Sequence, residues 1–209
     1  MNRPELSWAA PPTERADAAR NRVHLLATAR QMLAERGADK LTMDGLAEQA
    51  GLGKGTVFRR FGTRAGIFQA LLDDDERAFQ DQVLAGPPPL GPGAPPVDRL
   101  IAYGRARIGF LIEHREIARA ALDGSQPVPA GAQTPLSQLH IRVLLGQAGL
   151  GPASLGPADL DALAIQLTAA LDGPLLLYLS ADDLAEPAGR AGERIARGWQ
   201  DLIERVCRP

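Results

Sequence analysis

Apolar residues recur every three or four positions along most of the chain and nowhere alternate long enough to build a strand. The pattern predicts an all-α protein. Between Asp17 and Arg36, Leu25, Ala29 and Met32 form one apolar row, flanked by Val23, Leu26 and Leu33, and Gly37 supplies the stop. Thr42 can cap a short second helix that turns Met43, Leu46, Ala47 and Ala50 inward and ends at Gly51. A third helix fits between Gly53 and Gly62. Thr63 can then cap a fourth, with Ile67, Phe68, Leu71, Leu72, Phe79 and Val83 on its apolar side. Further helices are predicted near 97–114, 115–122, 135–149, 157–181 and 187–207, separated by Gly/Pro-rich turns.

The segment AGPPPLGPGAPP at 85–96 is the clearest boundary. It divides the chain into a flexible N-terminal arm (1–16), an N-terminal domain with a linking fourth helix (17–84) and a C-terminal helical domain (85–209). Composition supports folding: 45% of the 209 residues are hydrophobic. The single cysteine, Cys207, cannot form an internal disulfide, and no Cys/His cluster has metal-binding spacing. The N-terminus lacks a continuous apolar stretch, and no run approaches the ~18 apolar residues of a membrane span. The expectation is a cytoplasmic protein with no metal, no cofactor and no membrane partner.

A net charge of −2 argues against nucleic-acid binding by bulk attraction, but the local distribution changes the picture. Lys54, Arg59, Arg60 and Arg64 crowd into a stretch without acids, whereas Asp73, Asp74, Asp75 and Glu76 follow closely. A basic face confined to one segment suits docking on phosphates at a defined place; its plain alternative is a solvated face.

That stretch reads GLGKGTVFRRFGTR at 51–64. A nucleotide-binding phosphate loop would need Gly where Glu48 stands and Ser or Thr where Gly55 stands; a dinucleotide fingerprint would need a further Gly where Thr56 or Phe58 stands. Both templates fail. Two short helices joined through Gly51 instead form a helix-turn-helix, with Leu46 and Ala47 packing the first against the second and Val57 anchoring the second from beneath. Val57 and Phe61 then face inward, which leaves Lys54, Thr56, Phe58, Arg59 and Arg60 outward for a groove. Gly55 permits close backbone approach, and the helix N-terminus offers N–H groups to a phosphate.

The string LTMDGLAEQAGLGKGTVFRRFGTRAGIFQALL resembles the DNA-binding region of the tetracycline-repressor (TetR) family, over roughly residues 17–84. The resemblance implies that Thr42 contacts a phosphate at the start of the second helix and that Lys54 and Thr56 contact DNA at the start of the recognition helix. Arg59 and Arg60 become groove or backbone contacts, and Arg64 a phosphate clamp. Gly53, Phe58 and Gly62 depart from the family's frequent Ser, Tyr and Pro, which bears on affinity rather than fold.

In the helix after 96, Val97, Leu100, Ile101, Gly104, Ile108, Leu111 and Ile112 share a core face. A second stripe, Tyr103, Arg107, Phe110 and His114, mixes aromatic and ionisable groups as a small-molecule pocket does, with Arg107 a partner for an anionic effector; the alternative is an inter-helix seam. His140 and Arg142 are weaker ligand candidates. The last two helices resemble the family's dimerising four-helix bundle, with Leu175, Leu176, Leu179, Ile195, Trp199, Leu202 and Val206 at the interface and Gly173-Pro174 as a bend. The combined expectation is a homodimeric repressor, released from a double-stranded palindromic operator by a small-molecule effector. A helical regulator or interaction protein without a small-molecule effector, or a helical interaction module without DNA binding, is the second reading. An enzyme using Asp172, His114 or His140 is the third, weakened by the lack of a nucleophile, metal cluster or cofactor fingerprint.

Overall fold

The computed structural model describes the backbone of residues 12–121, 135–150, 157–180 and 188–207, and within these helices leaves the side chains of 12–15, 135, 157–158, 174–180 and 188 outside its description. Leu175, Leu176 and Leu179 therefore lie outside the described side chains.

The described residues are helical, with no strand among them. They form α1 (Pro12–Arg36), a short 3-10 turn (Ala38–Lys40), α2 (Met43–Gln49), α3 (Lys54–Phe61) and α4 (Arg64–Ala85). After the Pro/Gly segment come α5 (Pro96–Glu113), α6 (Arg115–Ala121), α7 (Pro135–Gln147), α8 (Pro157–Ser180) and α9 (Ala188–Cys207). The expected bounds hold to within a residue or two except at the start: α1 begins at Pro12, inside the segment expected to be a loose arm. Proline has no N–H to lose and a φ preset for the first helical turn, so Pro12 suits a start rather than an arm.

The caps follow the sequence. Thr42 Oγ1 accepts from Gly45 N at 3.0 Å and Thr63 Oγ1 accepts from Gly66 N at 3.1 Å, which satisfies N–H groups that the first turns of α2 and α4 leave open.

Two compact units divide inside α4, one up to Leu71 and the other from Leu72. In the first, Leu25, Leu26, Ala29, Met32, Leu41, Leu46 and Val57 are buried. Val23, expected beside them, is 68% exposed. Periodicity fixes the side of a helix on which a residue sits, not how far along that helix its neighbours reach.

In the second unit α5 packs along α9 and α7 along α8. Phe79 and Val83 of α4 join Leu100, Tyr103, Ile108, Leu144, Leu167 and Ile203 in one core. The 85–96 segment turns the chain from α4 into α5 within this unit.

Candidate functional site

The first site is built on the α2–turn–α3 pair. Leu46 and Ala47 of α2 and Val57 of α3 are buried, and Gly51 has φ +64°, a left-handed conformation that strains any residue with a Cβ. Leu52 N then bonds to Ala47 O at 3.0 Å and closes the turn. His24 is a contributor that hydrophobic patterning passed over: its Nε2 lies 3.0 Å from Ala50 O and ties α1 to the end of α2. Its partner is 26 residues away, so no local signal marks it.

With Val57 beneath, α3 turns Lys54, Gly55, Phe58, Arg59 and Arg60 to the surface and leaves Thr56 partly covered. Phe58 is 64% exposed, an aromatic ring set among cations. Arg59 has no hydrogen-bond or ion-pair partner among the described residues, whereas Arg60 donates from Nη2 to Ala18 O at 2.9 Å and Lys54 Nζ lies 2.8 Å from Asp44 Oδ2. Both of those contacts are exposed, so they compete weakly with an external phosphate. Gly53 caps α3 without a side-chain bond, leaving the first N–H groups of the helix open. A Cβ at Gly55 would meet nothing within 4 Å, so internal packing does not require a glycine there; glycine costs a helix roughly 0.5–1 kcal/mol relative to alanine.

Arg64, expected as a phosphate clamp, also has an internal role. Its Nε donates to Leu41 O at 2.8 Å, its Nη2 donates to Ala38 O at 2.7 Å, and its guanidinium lies over the Phe68 ring, 4.9 Å from the centroid. It fastens the loop that presents Thr42. The guanidinium at the start of α4 meets Leu41 O and adds a second donor to Ala38 O, which already accepts from Leu41 N.

The second unit holds the other candidate residues, and the stripe on α5 does not line one wall. Tyr103 is 3% exposed, donates its hydroxyl to Ser137 Oγ at 2.7 Å, and faces a cavity of about 230 Å³ formed with α4 and α7. Burial, offset in part by Ser137, raises its pKa. Phe110 and His114 instead edge a separate recess of about 320 Å³ beside Asp75 and Glu113. His114 stacks on Phe110 and places Nε2 3.2 Å from Asp75 Oδ2.

Arg107 lines neither. It is 2% exposed, its Nη1 lies 2.5 Å from Glu76 Oε2, and its guanidinium sits 5.3 Å from the Phe110 centroid. The charge expected for an anionic effector is thus met from α4. Part of the acidic run after the basic stretch has the same explanation: Glu76 and Asp75 are partners of α5, not a solvated face. Asp172 of α8 belongs to this group; burial pushes its pKa up to about 6, Arg107 opposes the rise and Glu76 adds to it. His140 on α7 does line the first cavity, and its neighbour Arg142 forms an ion pair with Asp161.

Of the expected pairing face, Leu202 is 38% exposed and Ile195 and Val206 are half-buried. Trp199 is 4% exposed: its Nε1 donates to Leu100 O at 2.9 Å and its indole lies on Gly104, where a Cβ would come within 2.0 Å of the ring. The assignment of Trp199 to a dimer interface is corrected accordingly, because α5 already buries the ring within one chain.

Residues 25–71 match the family model of bacterial regulatory proteins of the tetR family. A DNA-binding transcriptional repressor TetR of Mycobacteroides abscessus is 39% identical over 59 residues, an alignment that spans 28% of this chain and only 31% of that protein. Over greater length the likeness is one of fold. A TetR-family transcriptional regulator of Pectobacterium atrosepticum superposes with a TM-score of 0.63 at 21% identity, covering 92% of this chain and 94% of the other. FadR of Thermus thermophilus, a TetR-family repressor in complex with lauroyl-CoA, gives 0.58 at 16% identity, covering 87% and 92%. Residues 25–71 thus match the TetR family in sequence, and the chain shares the all-α fold of that family's regulators.

Proposed function

We propose that the protein is a transcriptional repressor that acts as a homodimer on a palindromic operator and lets go when a small molecule enters the second unit. One observation carries the DNA-binding part: α3 presents an unpartnered Arg59, with Lys54, Phe58 and Arg60, on the outward side of a helix-turn-helix. Such a face can pair an arginine with a guanine edge while the backbone N–H groups and Lys54 hold phosphates. Pairing through α8 and α9 follows from the twofold symmetry of such sites, with Leu202 a contact. Release follows from a ligand favouring a conformation with a different spacing of the two recognition helices. FadR of Thermus thermophilus, with its bound lauroyl-CoA, supports a ligand-holding role for the second unit.

The protein works in this reading in the cytoplasm, without cofactor or catalysis. No helix among the described residues is long and apolar enough to cross a membrane, and no group of three metal-ligating side chains occurs among them. Selection of genomic DNA fragments with the purified protein at physiological salt tests the proposal. Enrichment of fragments sharing one palindrome is expected; recovery of fragments in proportion to their abundance contradicts it.

A further inference from the structure

The basic face of α3 has an acid at its edge. Asp44 stands in the first turn of α2, where Thr42 Oγ1 accepts from Gly45 N at 3.0 Å. A Cβ at Gly45 would lie 3.0 Å from Thr42 Oγ1, so the turn that carries Asp44 is closely fixed. The Asp44 carboxylate lies 2.8 Å from Nζ of Lys54, the first residue of α3, and the two side chains are 70% and 74% exposed. Among the described residues Asp44 has no other partner. A negative charge at this place weakens attraction to DNA of every sequence, so a protein that held DNA by its phosphates alone would gain nothing from it. A protein that selects one sequence gains a means of refusing the others.

We infer that Asp44 is a specificity-determining residue whose carboxylate accepts a hydrogen bond from the N4 amino group of one cytosine in the operator half-site. The inference rests on reading α3 as the recognition helix, and deepens that reading by naming a base and the side chain that selects it. In the free protein Lys54 satisfies the carboxylate. The pair is exposed and therefore weak, so a phosphate draws Lys54 away on docking and leaves Asp44 facing the duplex. A carboxylate only accepts hydrogen bonds, and the major groove offers it two donors, cytosine N4 and adenine N6. Adenine N6 stands between two acceptors, its own N7 and O4 of the paired thymine, and both repel a carboxylate. Cytosine N4 has an acceptor on one side only, O6 of the paired guanine, and so receives a carboxylate more favourably. Where that cytosine is lacking, Asp44 stays unpaired beside phosphates. One side chain thus attracts at the operator and repels elsewhere.

The test uses the fragment selected from genomic DNA, with each C·G pair of its half-site exchanged in turn for T·A, titrated beside bulk DNA at fixed salt with wild type, Asp44→Ala, Asp44→Asn and Arg59→Ala. Wild type should lose about tenfold in affinity at the cytosine that Asp44 meets. Asp44→Ala should erase the loss at that position and keep it at the others, whereas Arg59→Ala should leave it in place. Asp44→Ala should also bind bulk DNA about two- to threefold more tightly, because a charge that repels phosphates is gone. Asp44→Asn, which keeps an accepting oxygen, should share the tighter bulk binding and retain a weakened preference for cytosine. If Asp44→Ala keeps the wild-type loss at every position, Asp44 is a counter-charge for Lys54 alone and the inference is overturned. A wild type indifferent to every exchange overturns it whatever the variants do. A wild type that holds no fragment more tightly than bulk DNA removes the recognition-helix reading as well; a tightly held fragment whose preferences ignore Asp44 removes this inference alone.

Discussion

Arg59 on α3 is exposed and has no partner among the described residues, whereas Arg107 on α5 is 2% exposed and held by Glu76. The two side chains are chemically identical and were both candidates for an external anion. Their surroundings separate them. A guanidinium in water keeps its hydration until a phosphate or guanine edge replaces it, so it can wait unpaired on a surface. A guanidinium taken out of water must find its countercharge inside the chain, because an uncompensated buried charge is not tolerated. The first unit therefore offers Arg59 outward, and the second consumes Arg107 in holding α4 to α5. Gly55 and Gly104 repeat the contrast: the space at one is empty, and at the other it is filled by an indole.

The comparison can be broken at five places. Arg107→Met strands the Glu76 carboxylate and should cost about 3–5 kcal/mol of folding stability in urea denaturation. Adding Glu76→Gln should return most of the loss. A single variant as stable as wild type would make the pair dispensable and the contrast with Arg59 empty. Gly104→Ala forces the Trp199 indole off its seat and away from the Leu100 carbonyl, for a loss of about 3 kcal/mol, seen as early unfolding and a red-shifted tryptophan emission. Unchanged emission and stability would return Trp199 to the surface of the protomer.

Arg59→Ala should leave the unfolding free energy within about 0.5 kcal/mol of wild type while weakening binding to a selected DNA site by about 1–3 kcal/mol. Arg64→Ala sharpens this, because a residue that fastens the Ala38–Leu41 loop should lower stability as well as DNA affinity. Loss of DNA affinity alone would mean that Arg64 acts as a phosphate clamp and not through the loop.

The smallest effect concerns Asp172. Its folded pKa, about 6, lies above the ordinary value of 3.8, so its contribution to stability is fully present below about pH 4 and is lost as pH rises through about 6. Asp172→Asn should melt close to wild type at pH 4 and above it at pH 7.5. The reverse ordering would mean that the ionised carboxylate is needed beside Arg107.

What was legible in the sequence follows from the range of the interactions. Helix caps, such as Thr42 on Gly45 and Thr63 on Gly66, reach only three residues along the chain, and their positions could be read directly. The outward face of α3 was equally legible, since Val57 fixes which side is buried. Arg107 with Glu76 is a pairing across 31 residues, and Trp199 with Leu100 one across 99. Helical spacing put Arg107 on a stripe and Trp199 on an inner face correctly, but it could not say which neighbour each face meets. That His140 buries Nε2 without a hydrogen-bond partner is likewise something only packing reveals.

The central claim is that α3 reads DNA. Its most direct test is a titration of wild type and Arg59→Ala with the selected fragment and with bulk DNA over a range of salt. Wild type should hold the fragment at least ~10³-fold tighter than bulk DNA, and Arg59→Ala should narrow that ratio by about tenfold or more while binding bulk DNA nearly as before. Equal affinity of wild type for the two DNAs, or an Arg59→Ala ratio identical to that of wild type, would contradict the account.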